Sequence, residues 1–375
     1  MFLTVRELVF ARSRFALMGA VVGLIAVLMV LLSGLSVGLV NDGVSGLQKL
    51  PVTSLAFERD VATDSAFSRS VVDLDAADKW ADRDGVTDAA PFGNALVNAK
   101  SSNGTEIDLA LFGVEPGSFI APDAAEGTRL GTDPYQIVVS ATAIDAGVRL
   151  GDTVTLDRIG TRLTVVGVLD GQHTFGHVDV AYVPLRTWQE IRVGAGPDAQ
   201  VPAHAYGEIT AVAVRADSDT DLAAGDEAAG TTSWTLEESF AASPGYTAET
   251  ATLGMIQWFL YAISALVVGA FFTVLVIQRK PEIAVLRAMG ASTRYVLRDS
   301  LLQSLVLLVV STGVGVGVGV AAGAALSATP MPFALDAGAI AVASFLLVLL
   351  GMIGATVAVL RITKVDPLTA LGGNR

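Results

Sequence analysis

Four long windows of this chain contain no charged residue, and they constrain the possible folds more than any other feature. The windows are residues 15–40, 251–278, 300–335 and 337–360. A helix of about 20 apolar residues crosses the hydrocarbon core of a bilayer, so each window is long enough to cross once. Such helices bury their backbone polar groups within themselves, as a bilayer demands. The sequence therefore predicts a membrane protein with four transmembrane helices.

Two of the windows need interpretation. The first is longer than the apolar core of a usual signal peptide, so we interpret residues 15–40 as a retained anchor. The third exceeds one span, and Thr329, Pro330 and Pro332 predict an outer loop near its end. The predicted spans are residues 15–40, 253–278, 300–327 and 337–360, with the loop at residues 328–336.

Glycines recur through the third predicted span. Gly315, Gly319 and Gly323 are each four residues apart. On a helix this spacing places small residues on one face, which lets another helix approach closely. Packing within one chain and packing between two copies would both use this face.

The charges predict the orientation. Residues 41–252 carry 32 acidic and 13 basic residues, whereas the rest of the chain carries 5 acidic and 11 basic residues. Those 11 lie at one set of span ends: Arg6, Arg12, Arg14, Arg279, Lys280, Arg287, Arg294, Arg298, Arg361, Lys364 and Arg375. By the positive-inside rule that side is cytoplasmic. We expect a multi-pass protein of the cell membrane with both termini inside and an acidic outer domain, which does not favour nucleic-acid binding.

The outer segment mixes strand and helix patterns. β-branched residues and turn residues predict strands at residues 52–57, 153–156, 163–169 and 178–183, with a hairpin between the second and third. Helices are predicted at residues 70–81, 141–149 and 185–192, and loops at residues 194–201 and 217–230. The predicted fold class is an α-helical membrane domain of four transmembrane helices plus a mixed α+β extracytoplasmic domain, residues 41–252, inserted between helices 1 and 2. Residues 1–14 predict a cytoplasmic interfacial helix, and residues 361–375 a cytoplasmic tail.

Few residues suggest catalysis. The sequence contains no cysteine and no G-x-x-x-x-G-K-[ST] motif, so we expect no catalytic residues and no nucleotide hydrolysis of that type. No predicted span has an ionisable residue in its interior, although ion-coupled carriers usually need one. His173 and His177, with Asp170 and Asp179 nearby, could hold a metal, but glycines between them favour a hairpin loop.

One short charged segment, residues 279–299, separates the second and third spans. Pro281 predicts a helix start and Gly290 a helix stop. The segment is therefore expected to fold, to be basic, and to be apolar on one face. These properties suit a contact with another protein, and energy for any transport would have to come from such a partner.

The same segment carries a resemblance to a known family. Residues 279–292 resemble the charged loop of the MacB/FtsX-type ABC transporter permeases, E-x-A-x-L-R-A-x-G-A-S. Residues 365–371 resemble that family's closing P-x-x-A-L element. Residues 138–167, with Leu150-Gly-Asp-Thr-Val154, and residues 181–184 are similar to its periplasmic core domain.

The resemblance implies partners. Two copies of this chain would pair with two copies of a separate cytoplasmic ATPase that binds ATP and magnesium. Glu282, Ile283, Leu286 and Arg287 would lie on the helix that couples the two proteins. The alternative for these four residues is a helix that lies at the lipid interface.

Within the family, the chain is most similar to the haem-exporting permeases of Gram-positive bacteria. Haem is flat, apolar and carboxylated, so its site needs an apolar surface, an iron ligand and a cation. The candidate residues near the outer ends of the first two spans are Phe57, Glu58, Arg59, Met255, Trp258 and Tyr261. Haem would be the transported ligand, not a resident cofactor, and its iron would be held by Glu58. Alternatively, Glu58 and Arg59 form a surface ion pair and the aromatic residues an interfacial belt.

Three functions follow as hypotheses. The leading one is the permease subunit of an ATP-driven exporter of haem, taken up from the membrane lipid. The alternatives are an FtsX-like regulator of cell-wall hydrolases and a permease that exports lipoproteins or peptides.

Overall fold

The computed structural model describes residues 12–197, 199–278, 292–329 and 331–363. These residues form two compact units. The membrane unit comprises the described residues up to Leu39 and from Thr250 onward, and the outer domain is Val40–Glu249. The predicted interfacial helix, the coupling segment and the cytoplasmic tail lie wholly or largely outside the described residues.

The helices include four long ones. In chain order they are α1 (Arg12–Gln48), α2 (Ala66–Arg69), α3 (Ala76–Ala81), α4 (Ala141–Asp145), α5 (Leu185–Arg192), α6 (Leu222–Ala229), α7 (Leu236–Ser239), α8 (Tyr246–Gln278), α9 (Thr293–Leu326) and α10 (Ala337–Thr363). Helices α1, α8, α9 and α10 are long and apolar enough to cross a membrane. The prediction of four such helices is confirmed. Helix α1 continues beyond the predicted span to Gln48 and ends there, because Pro51 follows closely and cannot extend it.

Glycines of α9 lie against α1. A Cβ added at Gly315 would lie 2.3 Å from the carbonyl oxygen of Gly23, and one at Gly319 would lie 2.8 Å from Cβ of Val30. The predicted small-residue face therefore packs within the chain. Gly317, on another face of α9, has nothing within 4 Å of such a Cβ.

The segment between α9 and α10 also contacts α1. A Cβ at Gly34 would lie 2.3 Å from Cζ of Phe333, and the backbone N–H of Ala334 donates to the carbonyl oxygen of Gly34 at 3.0 Å. Glycine at position 34 thus makes room for the ring of Phe333 against α1.

The outer domain is built on one large mixed sheet. Its strands and those of a small second sheet are β1 (Ser54–Glu58), β2 (Val72–Asp73), β3 (Val86–Ser101), β4 (Glu106–Val114), β5 (Glu126–Gly127), β6 (Gln136–Val139), β7 (Thr153–Leu156), β8 (Arg162–Val168), β9 (Thr174–Phe175), β10 (Val178–Pro184), β11 (Glu208–Ile209), β12 (Ala211–Ala216) and β13 (Thr231–Thr235). The main order is β13-β1-β12-β3-β4-β10-β6-β8-β5, with β7 beside β3 and β8, and β9 beside β10. Strand β10 runs parallel to β4, and β6 parallel to β8. A mixed α+β outer domain is confirmed.

Alternation along the central strands produces two buried faces. Neighbouring side chains of a strand point to opposite sides of its sheet. Leu111 and Ala181, paired across β4 and β10, belong to one apolar cluster with Trp188. Phe112 and Tyr182, the next pair, belong to a second cluster that also contains Leu47 of α1. The sheet is therefore covered on both faces.

Two paired glycines receive the indole of Trp188. Gly93 of β3 lies opposite Gly113 of β4. A Cβ added at either position would lie within 2.5 Å of a Trp188 carbon, 2.3 Å at Gly93 and 2.5 Å at Gly113. Since real Cβ atoms do not approach this closely, these positions require glycine, and α5 packs directly on the sheet.

Most predicted elements of the outer domain are present, but three predictions need correction. The predicted loop at residues 217–230 contains α6, which begins after its N-cap residue Asp221. The predicted helix at residues 70–81 is wrong in its first half, because β2 pairs there with β11. The predicted helix at residues 141–149 ends at Asp145. The β7–β8 hairpin and helix α5 are confirmed.

Candidate functional site

The outer-domain part of the predicted haem site lies at the end of β1. Phe57 is fully buried, with its ring centroid 5.0 Å from those of Phe67 and Trp234. Glu58 is exposed, and its Oε2 accepts a hydrogen bond from the backbone N–H of Val71 at 3.1 Å. Alternation along β1 thus turns Phe57 to the core and Glu58 to solvent.

Arg59 follows directly in the chain. Its Nη2 donates to the carbonyl oxygen of Asp226 at 3.2 Å. Within the described parts of the chain, Glu58 and Arg59 form no ion pair with each other. The carboxylate of Glu58 keeps one oxygen outside the hydrogen bond to Val71, and the guanidinium keeps most of its donors.

The membrane-unit part of the predicted site lies on α8. Met255 is 55% exposed and Trp258 is 67% exposed, whereas Tyr261 is only 7% exposed. Met255, Trp258 and Phe259 line a shallow apolar cavity of about 710 Å³. Phe259 was not among the predicted site residues, although residues three and four positions apart share a helix face.

Tyr261 lies on α8 but packs into the interior of the membrane unit. It belongs to an apolar cluster with Ile25 and Met29 of α1 and Leu347 of α10. Its ring meets that of Trp258 edge-on, with centroids 6.0 Å apart. Tyr261 therefore supports Trp258 from behind.

The six predicted residues belong to two different units. Phe57, Glu58 and Arg59 are part of the outer domain, and Met255, Trp258 and Tyr261 are part of the membrane unit. The prediction that they form one haem site stays a prediction. The predicted coupling residues Glu282, Ile283, Leu286 and Arg287 lie outside the described residues, and their role also stays a prediction. Helix α9 begins after Ser292, whose side chain accepts a hydrogen bond from the N–H of Tyr295.

The segment around His173 and His177 is a hairpin, as predicted. Strands β9 and β10 pair antiparallel, and Gly176 and His177 connect them with φ of 58° and 65°. Two successive positive φ values are typical of the type I′ turn, whose twist matches that of the strands. The two imidazoles have different partners, which are Gly171 for His173 and Asp42 and Glu249 for His177. Within the described residues, no group of three or more His, Asp or Glu could hold a metal ion.

His177 contacts two carboxylates. Its Nδ1 lies 2.9 Å from Oδ2 of Asp42, and its Nε2 lies 3.1 Å from Oε1 of Glu249. Burial of the ring lowers the pKa of His177, but the bond to Asp42 and the charges of both carboxylates outweigh this effect, so the pKa is raised above its usual value. A protonated ring donates at both nitrogens. The hairpin is thereby tied to the last turns of α1 and the first turn of α8.

Two family models together cover nearly the whole chain. The MacB-like periplasmic core domain matches residues 14–231. The FtsX-like permease C-terminal domain matches residues 254–367. The chain belongs to the MacB/FtsX-type permease family. The resemblance of the coupling segment and the outer domain to this family is therefore confirmed, and the chain is a multi-pass membrane protein. The C-terminal element, residues 365–371, extends beyond the matched residues, and its resemblance stays a prediction.

Full-length relatives within the MacB/FtsX-type permeases are distant in sequence. A protein of Staphylococcus epidermidis named as a hemin transport system permease, HrtB, is 23% identical over 370 residues, 99% of each chain. A protein of the same name from Staphylococcus haemolyticus is 32% identical over 128 residues, 34% of this chain and 36% of that one. An uncharacterized ABC transporter permease of Mycobacterium tuberculosis is 22% identical over 373 residues, 100% of this chain and 99% of the relative.

Solved structures of outer domains are also similar. The periplasmic region of MacB from Actinobacillus actinomycetemcomitans matches 50% of this chain and 91% of its own length, with 15% identity and a TM-score of 0.36. The extracellular domain of the ABC-type transporter YknZ from Gram-positive bacteria matches 49% of this chain and 98% of its own length, with 14% identity and a TM-score of 0.35.

Membership of the MacB/FtsX-type permease family indicates a partner protein. An ABC permease implies a cytoplasmic ATPase as its partner. The segment between α8 and α9 is the part of this chain for which the sequence predicts that contact.

Proposed function

We propose that this chain is the permease subunit of an ATP-driven exporter that takes haem from the membrane and moves it outward. The observation that carries the proposal is the similarity over 99% of both chains to a permease named for hemin transport. Because the identity is only 23%, the cargo has to be argued from the residues of this chain.

The exposed face of α8 suits a flat apolar ligand. Met255, Trp258 and Phe259 present a thioether and two aromatic rings, and they line the cavity of about 710 Å³. Aromatic side chains bind planar rings through stacked or edge-on contacts. We infer that the porphyrin lies against this face, with Tyr261 holding Trp258 in place.

Glu58 and Arg59 supply the polar groups that haem needs. We infer that the exposed carboxylate of Glu58 ligates the iron and that the guanidinium of Arg59 pairs with a propionate. Phe57 has its ring in the core, so in this proposal it fixes the position of Glu58. Guanidinium groups bind carboxylates with two parallel hydrogen bonds, and the bond to Asp226 leaves donors for that purpose.

The energy for transport comes from the partner. We propose that two copies of this chain assemble with two copies of the ATPase, which hydrolyses ATP, and that this chain has no catalytic activity. Both termini and the coupling segment would lie in the cytoplasm, in agreement with the basic residues at that set of span ends. Glu282, Ile283, Leu286 and Arg287 would insert into the ATPase and transmit its motion.

Absorption spectroscopy with hemin tests the cargo. The purified full-length chain should shift the Soret band of added hemin. Trp258→Ala should weaken binding, whereas Phe345→Ala, which removes an aromatic ring of similar exposure (65%) from α10, should not. Glu58→Ala should change the position of the Soret band, and an unchanged band would refute the role of Glu58 as iron ligand.

Deletion of the gene separates the candidate functions. Loss of a haem exporter should sensitise cells to haem. A division or chaining defect without haem sensitivity would favour the regulator of cell-wall hydrolases, and retention of lipoproteins or peptides would favour the third hypothesis. Absence of both hemin binding and haem sensitivity would overturn the proposal.

A further inference from the structure

A cleft of about 390 Å³ lies in the outer domain, where the end of α1 faces strand β10. It is open to solvent on one side and has the size of a small-molecule site. Its lining includes Lys49, Phe119, Ile120, Asp170, His173 and Tyr182. No function discussed so far uses these residues.

His173 presents a neutral imidazole to this cleft. The side chain is buried, and its backbone N–H donates to Oγ of Ser140 at 2.9 Å. Its Nδ1 lies 3.4 Å from the carbonyl oxygen of Gly171, so Nδ1 carries the proton in the neutral ring. Nε2 has no hydrogen-bond partner in the part of the chain that the structure describes. Imidazoles that bind metals commonly donate the other N–H to a backbone carbonyl in this way.

The surroundings of His173 keep the imidazole unprotonated. Burial of the ring, followed by the positive charge of Lys49, lowers the pKa of His173 to about 4. A lone pair on Nε2 is therefore available at every physiological pH. The carbonyl oxygen of Gly171 and the carboxylate of Asp170 act in the opposite direction, but they do not reverse the shift.

Lys49 provides a cation at the edge of the cleft. Its Nζ donates to the carbonyl oxygens of Asp170 at 3.1 Å and Gln172 at 2.9 Å. An ammonium has three donors, so one remains for a ligand. Asp123, another acidic residue of the lining, is paired with Arg129.

The remaining lining is apolar, with one phenol. Ile120 and Leu169 are buried and Phe119 is partly buried along the cleft. Tyr182 is 2% exposed, and its hydroxyl has no hydrogen-bond partner among the residues that the structure places. Tyr182 thus adds one polar group to a largely apolar wall of the cleft.

We propose that this cleft is a second contact site for haem, outside the membrane, in which Nε2 of His173 ligates the iron and Lys49 pairs with a propionate. The proposal rests on the function proposed above, since it takes the cargo from there. The cleft offers a nitrogen ligand, a cation and an apolar wall, and haem has an iron, carboxylates and an apolar ring to match them. A ligand with only one of these groups would match the cleft less well. With a single protein ligand to the iron, such a site suits transient binding before release.

Hemin titration of the full-length chain tests the ligand. In Glu58→Ala, the hemin that still binds should show an imidazole-ligated spectrum, and adding His173→Ala should abolish this spectrum. His177→Asn, in the same hairpin and tolerant of its positive φ, and His204→Ala are matched controls and should leave it unchanged. Burial lowers the pKa of His173, so protons compete weakly with iron for Nε2, and the imidazole-ligated spectrum should change little between about pH 8 and about pH 5.

A second measurement avoids any folding defect of His173→Ala. The wild-type chain should prefer hemin over hemin dimethyl ester, which has no free propionate, by about tenfold. Lys49→Gln keeps donors for the carbonyl oxygens of Asp170 and Gln172. In an Arg59→Gln background, which removes the propionate partner proposed for the first site, it should abolish that preference.

The outcomes separate the two proposals. Failure of the wild-type chain to bind hemin, together with no haem sensitivity on deletion, would overturn the cargo itself. Hemin binding with an unchanged spectrum in His173→Ala and an unchanged ester preference in Lys49→Gln would overturn this second site alone. Loss of imidazole ligation in His177→Asn or His204→Ala instead would also overturn it.

Discussion

Nδ1 of His177 lies 2.9 Å from Oδ2 of Asp42. The imidazole sits at the tip of the β9–β10 hairpin in a left-handed conformation, with φ of 65°. Non-glycine residues rarely adopt this conformation, and histidine is among those that do so most often. On its other side, Nε2 contacts Glu249. Asp42 lies in α1 and Glu249 in α8, in the parts of these helices that belong to the outer domain.

This contact predicts a pH dependence of stability. The pKa of His177 is raised in the folded protein, so its stabilising effect is fully present below the unfolded value of about 6.5 and is lost as pH rises through the folded value. We expect a loss below about 1 kcal/mol, because the ring is partly exposed and solvent screens the charges. Thermal unfolding of the full chain between about pH 5.5 and pH 8.5 measures the effect.

His177→Asn is the informative variant for that measurement. Asparagine tolerates a positive φ but carries no charge, so the variant should lose the dependence on pH without straining the turn. His204→Asn, at an exposed position, should keep it. Equal pH profiles for the wild type and His177→Asn would show that the contact does not contribute.

At the paired glycines under Trp188, we expect a single added methyl group to lower the stability of the fold strongly. In Gly93→Ala the new Cβ would lie 2.3 Å from a carbon of the indole, and overpacking of this kind costs about 1–3 kcal/mol. Gly207→Ala is a control, since nothing lies within 4 Å of its Cβ. Denaturant unfolding of the two variants should separate them, and equal midpoints would contradict the observed packing.

Two glycines on α9 allow the same comparison inside the membrane unit. Gly315→Ala places a methyl group 2.3 Å from the carbonyl oxygen of Gly23, whereas Gly317→Ala meets nothing within 4 Å. We expect Gly315→Ala to lower the unfolding temperature in detergent and Gly317→Ala to leave it nearly unchanged. The opposite order would mean that α1 and α9 do not pack through this face.

Substitutions of Leu286 in the coupling segment test the predicted contact with the ATPase. Leu286→Asp places a charge on the apolar face of the predicted coupling helix and should abolish co-purification of the ATPase. Leu286→Met conserves the apolar volume and should retain it. If the ATPase still co-purifies with Leu286→Asp, the residue does not lie in the interface.

Several features of the fold could be predicted because they depend on local pattern. Uncharged windows predicted the four apolar helices, and β-branched residues with turn residues predicted the β7–β8 hairpin. Helix α6 was missed. Its local pattern does favour a helix, because Asp221 caps its start and Gly230, with φ of 74°, caps its end. Its packing could not be predicted, because Gly225 lies against Trp80, far away in the chain, and an added Cβ would lie 2.3 Å from the ring.

For the candidate haem residues too, the sequence predicted residue types but not which side chains are exposed. Phe57 and Glu58 are neighbours in sequence, but the strand turns one to the core and the other to solvent. Trp258 and Tyr261 are both aromatic and one helical turn apart, but only Trp258 is exposed. The sequence placed Phe259 in the same span without indicating that it shares a cavity with Met255 and Trp258.

The sequence alone determined the membrane class, the four apolar helices, the inserted acidic domain and the family, because each of these depends on composition, periodicity or a motif. Only the tertiary structure decided which side chains meet. His177 contacts Asp42 and Glu249, and Lys49, His173 and Tyr182 line one cleft, because strand pairing and the packing of α1 on the sheet bring together residues up to 135 positions apart.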